Sequence, residues 1–358
     1  MVGPDGALPL PWLAPLLKQT LRTQRAHALL LQGPQGVGQF EMAMTLAQAW
    51  LCEGAAGAAG AAERRPCGVC ASCRLVQSHS HPDLLVLLPE ILQETLGWGG
   101  GDGSEVATEK ASKAKPSKEI KVEAVRSAVT FAQTTSARGR AKVVVLHPAE
   151  RMNGISANTL LKTLEEPPGA ARFVLSCSAP DRLLPTIRSR CQAVTMLLPP
   201  VDVATQWLLQ AGVKEPAVLL AATGGQPQEV VQWLEQGIDA ALWQRLPALV
   251  ARGETLPLAT WPVQRLIDAL QKLCHDAACV AAGAPPRYFA PTAVMHGADA
   301  GALAEWMQEL QRCARHAEHA WNAGLMLESL VQQGQRALRS AAPGPATTRL
   351  VSVHSRAW

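Results

Sequence analysis

The stretch Ala28-Leu29-Leu30-Leu31-Gln32, followed by Gly33-Pro34-Gln35-Gly36-Val37-Gly38-Gln39-Phe40, decides the fold. The first part is a short apolar run, the second is a glycine loop, and from Glu41 to Leu51 apolar residues recur at helical spacing. The order strand, loop, helix is the frame of a phosphate-binding loop, whose full pattern is G-x-x-x-x-G-K-[ST]. Gln39 and Phe40 stand where that pattern requires a lysine and a hydroxyl.

The two missing groups are the ones that handle nucleotide. In a working loop the lysine neutralises the β and γ phosphates, and the hydroxyl ligates magnesium. We therefore expect that ATP and Mg²⁺ are not bound productively, although backbone amides around Gly33, Gly36 and Gly38 could still hold an anion at the helix N-terminus. Taken alone, the loop is explained equally well as an ordinary glycine turn between a strand and a helix.

Three further apolar runs predict buried strands: Leu84 to Leu88, Val143 to Leu146 and Phe173 to Cys177. Helical stretches lie between successive runs. Strands that alternate with helices are typical of a parallel α/β sheet, so the fold class we predict is α/β.

The end of the run Val143 to Leu146 is a second place where nucleotide chemistry is expected. A P-loop domain carries acidic residues there, which position magnesium and polarise the attacking water. His147 and Pro148 occupy these positions, and Glu150 comes too late to be an obvious substitute. Two independent catalytic elements are therefore missing.

Composition and length describe a globular protein with more than one domain. The chain has 358 residues, of which 48% are apolar and 17% charged, and its net charge of +4 is too small to identify a nucleic-acid binder. Nowhere do about 18 apolar residues follow one another, and no basic region precedes the apolar N-terminus. We expect a cytoplasmic protein with no membrane span.

The strand signal disappears after Pro199-Pro200, which marks a domain boundary. We expect the α/β domain in residues 1–198, a small helical lid in residues 199–240 and a helical domain in residues 241–358. Near the C-terminus, the segment from Ala302 to Leu338 places apolar side chains in the stripe expected of one helix, namely Leu303, Trp306, Leu310, Cys313, Ala317, Trp321 and Met326. Core packing explains such a stripe more often than an oligomer interface does.

Two stretches of the predicted α/β domain lack apolar periodicity. Residues 97–119 are rich in Gly, Ser and Lys, and residues 54–62 consist of Gly and Ala. Neither stretch can bury enough apolar surface to offset the entropy of ordering it. Both are therefore predicted to be surface loops.

A group of four cysteines predicts a metal site. Cys52, Cys67, Cys70 and Cys73 have the spacing C-x14-C-x2-C-x2-C, and Gly68 allows the tight turn between the second and third. Four thiolates fill the tetrahedral coordination of zinc and leave no position for water, so we predict structural Zn²⁺ held by residues 52–73. Four unconnected cysteines are the weaker alternative, since two consecutive C-x2-C steps are present.

The triplet Ser189-Arg190-Cys191 ends the α/β domain. Arg190 could be an ordinary surface charge. It could also reach a nucleotide held by a neighbouring subunit and stabilise the γ-phosphate charge in the transition state. The residues alone leave both interpretations open.

Over most of residues 10–230 the chain resembles the delta-prime subunits of the bacterial DNA polymerase III clamp loader, a family of the AAA+ superfamily. Besides the glycine loop, the cysteines and the Ser-Arg-Cys triplet, the resemblance rests on His81-Pro82-Asp83 and on the run from Asn158 to Pro168. That run is very specific to clamp-loader subunits. Its leucines line one helix face, and Pro167 ends the helix.

The resemblance implies what this chain does and with which partners. Arg190, flanked by Ser189 and Cys191, would be an arginine finger offered in trans to ATP on an adjacent motor subunit. The partners would be gamma or tau and delta subunits in a pentameric ring, which opens the β sliding clamp and loads it on primer-template DNA. Residues 241–358 would form the oligomerising collar.

The family's motor subunit, gamma or tau, shares the cysteine module, the Leu-Glu-Glu-Pro-Pro run and the Ser-Arg-Cys triplet. It keeps the lysine and hydroxyl, an acidic pair after the second strand, and a sensor arginine in the lid. Here those places hold Gln39 and Phe40, His147 and Pro148, and Gln228. The differences favour a non-hydrolysing stator, an accessory subunit of the polymerase, over a motor.

Two alternatives remain open. The first is an ATP-hydrolysing motor or divergent AAA+ ATPase that uses Glu150 in place of the usual carboxylate. The second is a DNA-binding module that contacts phosphates through the zinc loop and the Lys110 to Lys121 cluster, in which case affinity would fall steeply with salt. Solvated surface charge explains the lysine cluster equally simply.

Overall fold

The computed structural model describes residues 1–54, 65–98, 116–294, 297–316 and 322–339. The chain divides into two compact units, one formed by residues 1–213 with 225–229 and the other by residues 214–224 with 230–358. Most of the predicted surface loops at 54–62 and 97–119, and three of the five lysines of the Lys110 to Lys121 cluster, lie outside the described residues.

The first unit is built on a parallel sheet of five strands in the order β2-β3-β4-β1-β5. The strands are β1 (Ala28–Gln32), β2 (Leu84–Leu87), β3 (Val143–Leu146), β4 (Arg172–Cys177) and β5 (Gln192–Thr195). The four predicted strands are confirmed, with shifts of one residue at the end of β2 and the start of β4. Strand β5 was not predicted, because it lies at an edge of the sheet and has only one buried residue, Val194.

Helices cover both faces of this sheet. The helices of the first unit are α1 (Leu13–Thr23), α2 (Gln39–Leu51), α3 (Ala71–Gln77), α4 (Glu90–Gln93), α5 (Val122–Gln133), α6 (Gly154–Glu165), α7 (Pro185–Arg188) and α8 (Val201–Gln210). Leu29 and Leu31 of β1 pack with α1 and α2, whereas Ala28 and Leu30 pack with α5 and α6. This alternation follows from the twofold repeat of a strand, whose successive side chains point to opposite faces.

The parallel pairing places the ends of several strands side by side. Gln32, the last residue of β1, pairs with Cys177 of β4 and Thr195 of β5, and Leu146 of β3 pairs with Leu175 of β4. The residues that follow β1, β3 and β4 therefore share one edge of the sheet. Ligand sites in open α/β sheets form at the carboxyl ends of their strands.

Helix α6 contains the run that carries the family resemblance. The side chain of Asn153 accepts a hydrogen bond from the backbone N–H of Ser156 at 2.9 Å, which caps the first turn. Leu160 and Leu164 are buried against the sheet, and the helix ends at Glu165, two residues before Pro167. The predicted apolar face and the proline stop are confirmed.

The second unit is helical. It contains α9 (Pro216–Ala222), most of α10 (Pro227–Glu235), α11 (Ala240–Arg252), α12 (Val263–Ala281), α13 (Ala300–Arg315) and α14 (Ala323–Leu338). Within the described ranges no strand follows Thr195, as the loss of the strand signal predicted. None of the helices in those ranges is both long and apolar enough to cross a membrane.

The single helical stripe expected over residues 302–338 is wrong, because α13 and α14 are separate helices that pack on each other. Gly334 of α14 makes this close approach possible, since a Cβ there would lie 2.5 Å from the indole of Trp306 in α13. Ala317 and Trp321, which we had placed on the stripe, lie outside the described residues.

Candidate functional site

The glycine loop between β1 and α2 has a backbone conformation that depends on its glycines. Gly36 and Gly38 have φ angles of +74° and +96°, in the left-handed region that other residues rarely adopt. A Cβ on Gly33 would lie 2.3 Å from the carbonyl oxygen of Met196, so the loop runs tightly against the chain after β5. The three glycines are therefore required by the shape of the loop.

The side chain of Gln39 closes this loop on itself. Gln39 is buried, and its Nε2 donates hydrogen bonds to the carbonyl oxygens of Gly33, at 3.0 Å, and of Pro34. The amide is neutral, and both of its N–H groups are directed at loop carbonyls. The position that holds the lysine in a working loop thus provides neither a positive charge nor a donor directed at a phosphate.

Phe40 and His147 occupy the two positions where magnesium ligands are expected, and their rings contact each other. The ring centroids are 5.1 Å apart, and the planes are inclined by 41°. The Nδ1 of His147 lies 2.8 Å from the Oγ of Ser176 in β4. Burial lowers the pKa of His147 to about 4, so the imidazole is neutral at pH 7.

Glu150, the carboxylate of the ATPase alternative, is engaged in local hydrogen bonds. Its Oε1 accepts hydrogen bonds from the backbone N–H of Ser178 at 2.9 Å, from the Ser178 hydroxyl at 2.7 Å and from the backbone N–H of Ala179 at 3.2 Å. Burial opposes its ionisation, but these hydrogen bonds outweigh that effect and lower its pKa. Glu150 follows β3, and its carboxylate thus links the chain after β3 to Ser178 and Ala179, which follow β4.

Gln228 belongs to the short segment 225–229, which lies in the first unit. Its backbone N–H donates to the carbonyl oxygen of Gly36 at 3.3 Å, and its Nε2 donates to the Oε1 of Glu41 at 2.5 Å. The fold thus places Gln228 on the glycine loop. This chain has a neutral amide there.

The four predicted metal ligands come together. All their Sγ atoms lie within 4.8 Å of one another, and the pairs Cys67–Cys73 and Cys52–Cys70 are each separated by 3.9 Å. A tetrahedral zinc ion with Zn–S bonds of about 2.3 Å places its sulfur ligands about 3.8 Å apart. The donor set therefore fits structural zinc in number, type and spacing.

The backbone around these cysteines is shaped by glycine. Gly68 has a φ of +75°, and a Cβ on Gly54 would lie 2.7 Å from the Sγ of Cys67. Backbone N–H groups of Cys70 and Cys73 each donate to a cluster sulfur at 3.4 Å. Such donors stabilise thiolates, which are the form that binds metal.

A polar network joins the cysteine module to the sheet. The guanidinium of Arg138 donates to both carboxylate oxygens of Glu53, at 2.7 and 3.1 Å, and to the Oγ of Ser72 at 3.2 Å. Ser72 Oγ also lies 3.1 Å from the Nε2 of His81. Glu53 follows Cys52 and Ser72 precedes Cys73, so the network holds the module on both sides.

Asp83, from the His-Pro-Asp motif, lies in the same network and is fully buried. Its carboxylate accepts hydrogen bonds from the hydroxyl of Ser136 and from the backbone N–H groups of Ala137 and Arg138, at 2.7 to 3.0 Å. The ammonium of Lys142 lies 3.1 Å away. Burial opposes ionisation of Asp83, but these partners together lower its pKa.

Arg190 lies just after α7 and is held by hydrogen bonds within this chain. Its Nε donates to the Oε1 of Glu165 at 2.5 Å, its Nη2 donates to the same oxygen, and its Nη1 donates to the carbonyl oxygen of Thr186 at 2.9 Å. The side chain keeps 29% of its surface exposed. Sequence reasoning did not find Glu165 as a partner, although it lies in the Leu-Glu-Glu-Pro-Pro run.

The neighbours of Arg190 in the triplet have local roles. The Oγ of Ser189 donates to the carbonyl oxygen of Thr186 at 3.1 Å. Burial raises the pKa of the Cys191 thiol to about 12, so it stays protonated and unreactive at neutral pH. Of the three residues, Arg190 alone presents an exposed charged group.

Together, the strand order, the glycine loop after the interior strand β1 and the helical unit that follows define a protein of the AAA+ class. A family model described as DNA polymerase III, delta subunit, matches residues 11–199. DNA polymerase III subunit delta' of Escherichia coli strain K12 is 30% identical over 292 residues, which cover 75% of this chain and 78% of that protein. The chain belongs to the family of DNA polymerase III delta' subunits.

Two other relatives show how far the similarity extends. Subunit delta' of Pseudomonas aeruginosa is 39% identical over 233 residues, 64% of this chain and 62% of that protein, so the match spans slightly less than two thirds of its length. Subunit tau of Escherichia coli strain K12 is 33% identical over 165 residues, 46% of this chain and 20% of that protein.

Proposed function

We propose that this chain is the non-hydrolysing delta' subunit, or stator, of a DNA polymerase III clamp-loader complex. One contrast supports this: the positions that handle nucleotide hold Gln39, Phe40, His147 and Gln228, whereas Arg190 is present and partly exposed. In this proposal the chain has no ATPase activity of its own and is an accessory subunit of the polymerase.

The proposed action of the stator is on a neighbour's nucleotide. The guanidinium of Arg190 would contact the γ-phosphate of ATP bound to an adjacent gamma or tau subunit. A cation at that place stabilises the charge that develops on the phosphoryl oxygens in the transition state. An arginine suits this role because it stays charged and presents several N–H donors in one plane.

The proposed assembly is a ring with gamma or tau and delta subunits, which opens the β sliding clamp and loads it on primer-template DNA in the cytoplasm. We propose that residues 1–198 form the AAA+ domain, 199–240 the lid and 241–358 the collar that joins the subunits. Zinc would be held by Cys52, Cys67, Cys70 and Cys73, where it would clamp the module after α2 and take no part in chemistry.

A motor role is the second candidate, because the tau subunit of Escherichia coli is 33% identical over 165 residues of this chain. In that case Glu150 would serve as the catalytic carboxylate. The hydrogen bonds of its Oε1 to Ser178 and Ala179 favour a structural role instead. Hydrolysis of ATP by the purified chain alone, lost on Glu150→Ala, would support the motor and contradict the stator.

The deciding experiment is Arg190→Ala in a loader reconstituted with its motor and delta subunits. ATP binding by the complex should survive, while clamp-stimulated hydrolysis should fall by about a hundredfold or more at the site that Arg190 serves. Arg188→Ala is a matched control, since Arg188 is an exposed arginine in the preceding turn. An unchanged rate with Arg190→Ala would exclude the finger role.

A further inference from the structure

We propose that Glu165 is the positioning residue for Arg190: it holds one edge of the guanidinium and leaves another edge directed outward for a phosphate. This inference rests on the proposed finger role of Arg190 and specifies how that role is prepared. Glu165 itself contacts no nucleotide in this proposal and acts through Arg190 alone.

The distribution of hydrogen bonds over the guanidinium supports this division. The group has five N–H donors in one plane. The donor on Nε and one donor on Nη2 are directed at the Oε1 of Glu165, and one donor on Nη1 is directed at the carbonyl oxygen of Thr186. One N–H on Nη2 is left, and another on Nη1 makes only a long contact of 3.4 Å to the Oγ of Ser189.

The N–H that is left on Nη2 lies on the outer edge of the guanidinium, because the Nη2 donor beside Nε is the one directed at Glu165. Hydrogen bonds from a guanidinium N–H to a phosphate oxygen are charge-assisted and therefore strong. Glu165 occupies the neighbouring edge, between Nε and Nη2. A carboxylate can therefore stay bonded to Arg190 while a phosphate oxygen binds the remaining Nη2 donor, and the two acceptors do not compete for the same N–H.

Glu165 has a rigid support. It is the last residue of α6, whose Leu160 and Leu164 are buried against the sheet, and Pro167 ends the helix just beyond it. A long side chain such as arginine loses rotamer entropy when it binds. The hydrogen bonds of Arg190 to Glu165 and to the carbonyl oxygen of Thr186 already restrict its rotamers, so less entropy is lost on binding. Positioning of this kind is a recognised source of rate acceleration.

The reaction that this arrangement serves takes place on the neighbouring subunit. A water oxygen forms a bond to the γ-phosphorus, and the bond from that phosphorus to the oxygen that bridges to the β-phosphate breaks. ADP leaves with the electron pair of the broken bond, inorganic phosphate keeps the water's oxygen and one of its protons, and the other proton is released to solvent. Arg190 stabilises the charge on the γ-oxygens and exchanges no proton.

The test compares variants of this chain in the complete reconstituted loader, with clamp-stimulated ATP hydrolysis as the readout. We expect Glu165→Ala to lower the rate by about tenfold to a hundredfold, and Glu165→Gln, which keeps an oxygen acceptor, to lower it less. Glu166→Ala is the matched control, because Glu166 is the adjacent exposed carboxylate and should leave the rate unchanged. Size-exclusion chromatography checks that every variant assembles.

A double-mutant cycle separates positioning from a general structural effect. If Glu165 acts through Arg190, Glu165→Ala should lower the rate no further when Arg190→Ala is already present. Additive losses in the double variant would overturn the inference, and so would an unchanged or raised rate with Glu165→Ala alone while Arg190→Ala is impaired. An unaffected Arg190→Ala complex would instead overturn the proposed function on which the inference rests.

Discussion

The phenyl ring of Phe40 packs against the imidazole of His147, with 5.1 Å between the ring centroids. Phe40 lies in the first turn of α2, which follows β1, and His147 follows β3, so the two residues come from separate elements of the fold. A magnesium-dependent site needs oxygen ligands at these two positions. Here both positions hold rings that are in contact with each other, and this contact contributes to packing between α2 and the end of β3.

Restoring the phosphate-loop motif should not restore activity. We expect Gln39→Lys combined with Phe40→Thr to give no multiple-turnover ATP hydrolysis, because His147 and Pro148, directly after β3, still supply no carboxylate for magnesium and the Glu150 carboxylate is engaged by Ser178 and Ala179. The double variant should also lose about 1 to 2 kcal/mol of unfolding free energy, since the half-buried ring of Phe40 is removed. Coupled-enzyme assays and urea denaturation measure the two quantities.

The control for that experiment is Gln35→Lys, which adds the same charge at an exposed loop position. This variant should have the same free energy of unfolding as the parent chain, and it should show no ATP hydrolysis. Sustained hydrolysis by the double variant would show that the substitutions at Gln39 and Phe40 alone account for the loss of catalysis.

His147 should make stability depend on pH. Its folded-state pKa is about 4, below the ordinary histidine value of about 6.5. Between these two pH values the unfolded chain binds a proton on His147 that the folded chain does not bind. The free energy of unfolding should therefore fall as the pH drops from about 6.5 to about 4, by up to about 3 kcal/mol, and this contribution should change no further below that window.

The variant His147→Gln isolates this effect, because the other titrating groups are common to both proteins. Urea denaturation between pH 7 and pH 4 should show a smaller loss of stability in the variant than in the parent chain. Parallel stability curves for the two proteins would mean that His147 is not held neutral by burial.

Loss of one cysteine ligand should release the metal. Cys70→Ser should bind less than one zinc ion per chain and unfold at lower urea concentration, because binding free energy at a structural site contributes to folding. Cys279→Ser, in α12, changes a cysteine outside the cluster and should keep full occupancy. Elemental analysis after exhaustive dialysis measures the content, and one ion per chain in Cys70→Ser would contradict the four-ligand set.

Substitution of Asp83 should destabilise the fold more than substitution of most other acidic residues in the first unit. Asp83→Asn leaves Lys142 buried without its charge partner, and we expect a loss of about 3 kcal/mol of unfolding free energy at pH 7. The lowered pKa of Asp83 implies that its contribution is present above about pH 4 and is lost as the pH falls below that value. The parent and the variant should therefore converge in strongly acidic solution.

Asp181→Asn is the control for Asp83, because the Asp181 side chain is 99% exposed beside Arg188. Exposed ion pairs contribute at most about 1 kcal/mol, so its urea midpoint should hardly move. Equal midpoints for the Asp83 and Asp181 variants would argue against a structural role of the His-Pro-Asp motif.

Several features of the fold could be predicted because they depend on the residue pattern of a short stretch of sequence. The apolar runs of β1 and β3 were placed to the residue, since a buried parallel strand needs an uninterrupted apolar stretch. Strand β5 has exposed residues at three of its four positions, so no such stretch marks it. The apolar pattern predicted one helix where the structure has α13 and α14. The two helices pack on each other through their apolar faces, and those faces together have the spacing of a single stripe.

The sequence by itself determined the α/β class, the glycine loop without its lysine and hydroxyl, and the spacing of the four cysteines. Each of these features depends on residues close together in the chain, where backbone preference and side-chain chemistry act directly. Only the tertiary structure decided that Phe40 meets His147, that Gln228 lies on the glycine loop and that Glu165 holds Arg190. These partners come from separate elements, and strand order and helix packing, which local periodicity does not encode, bring them together.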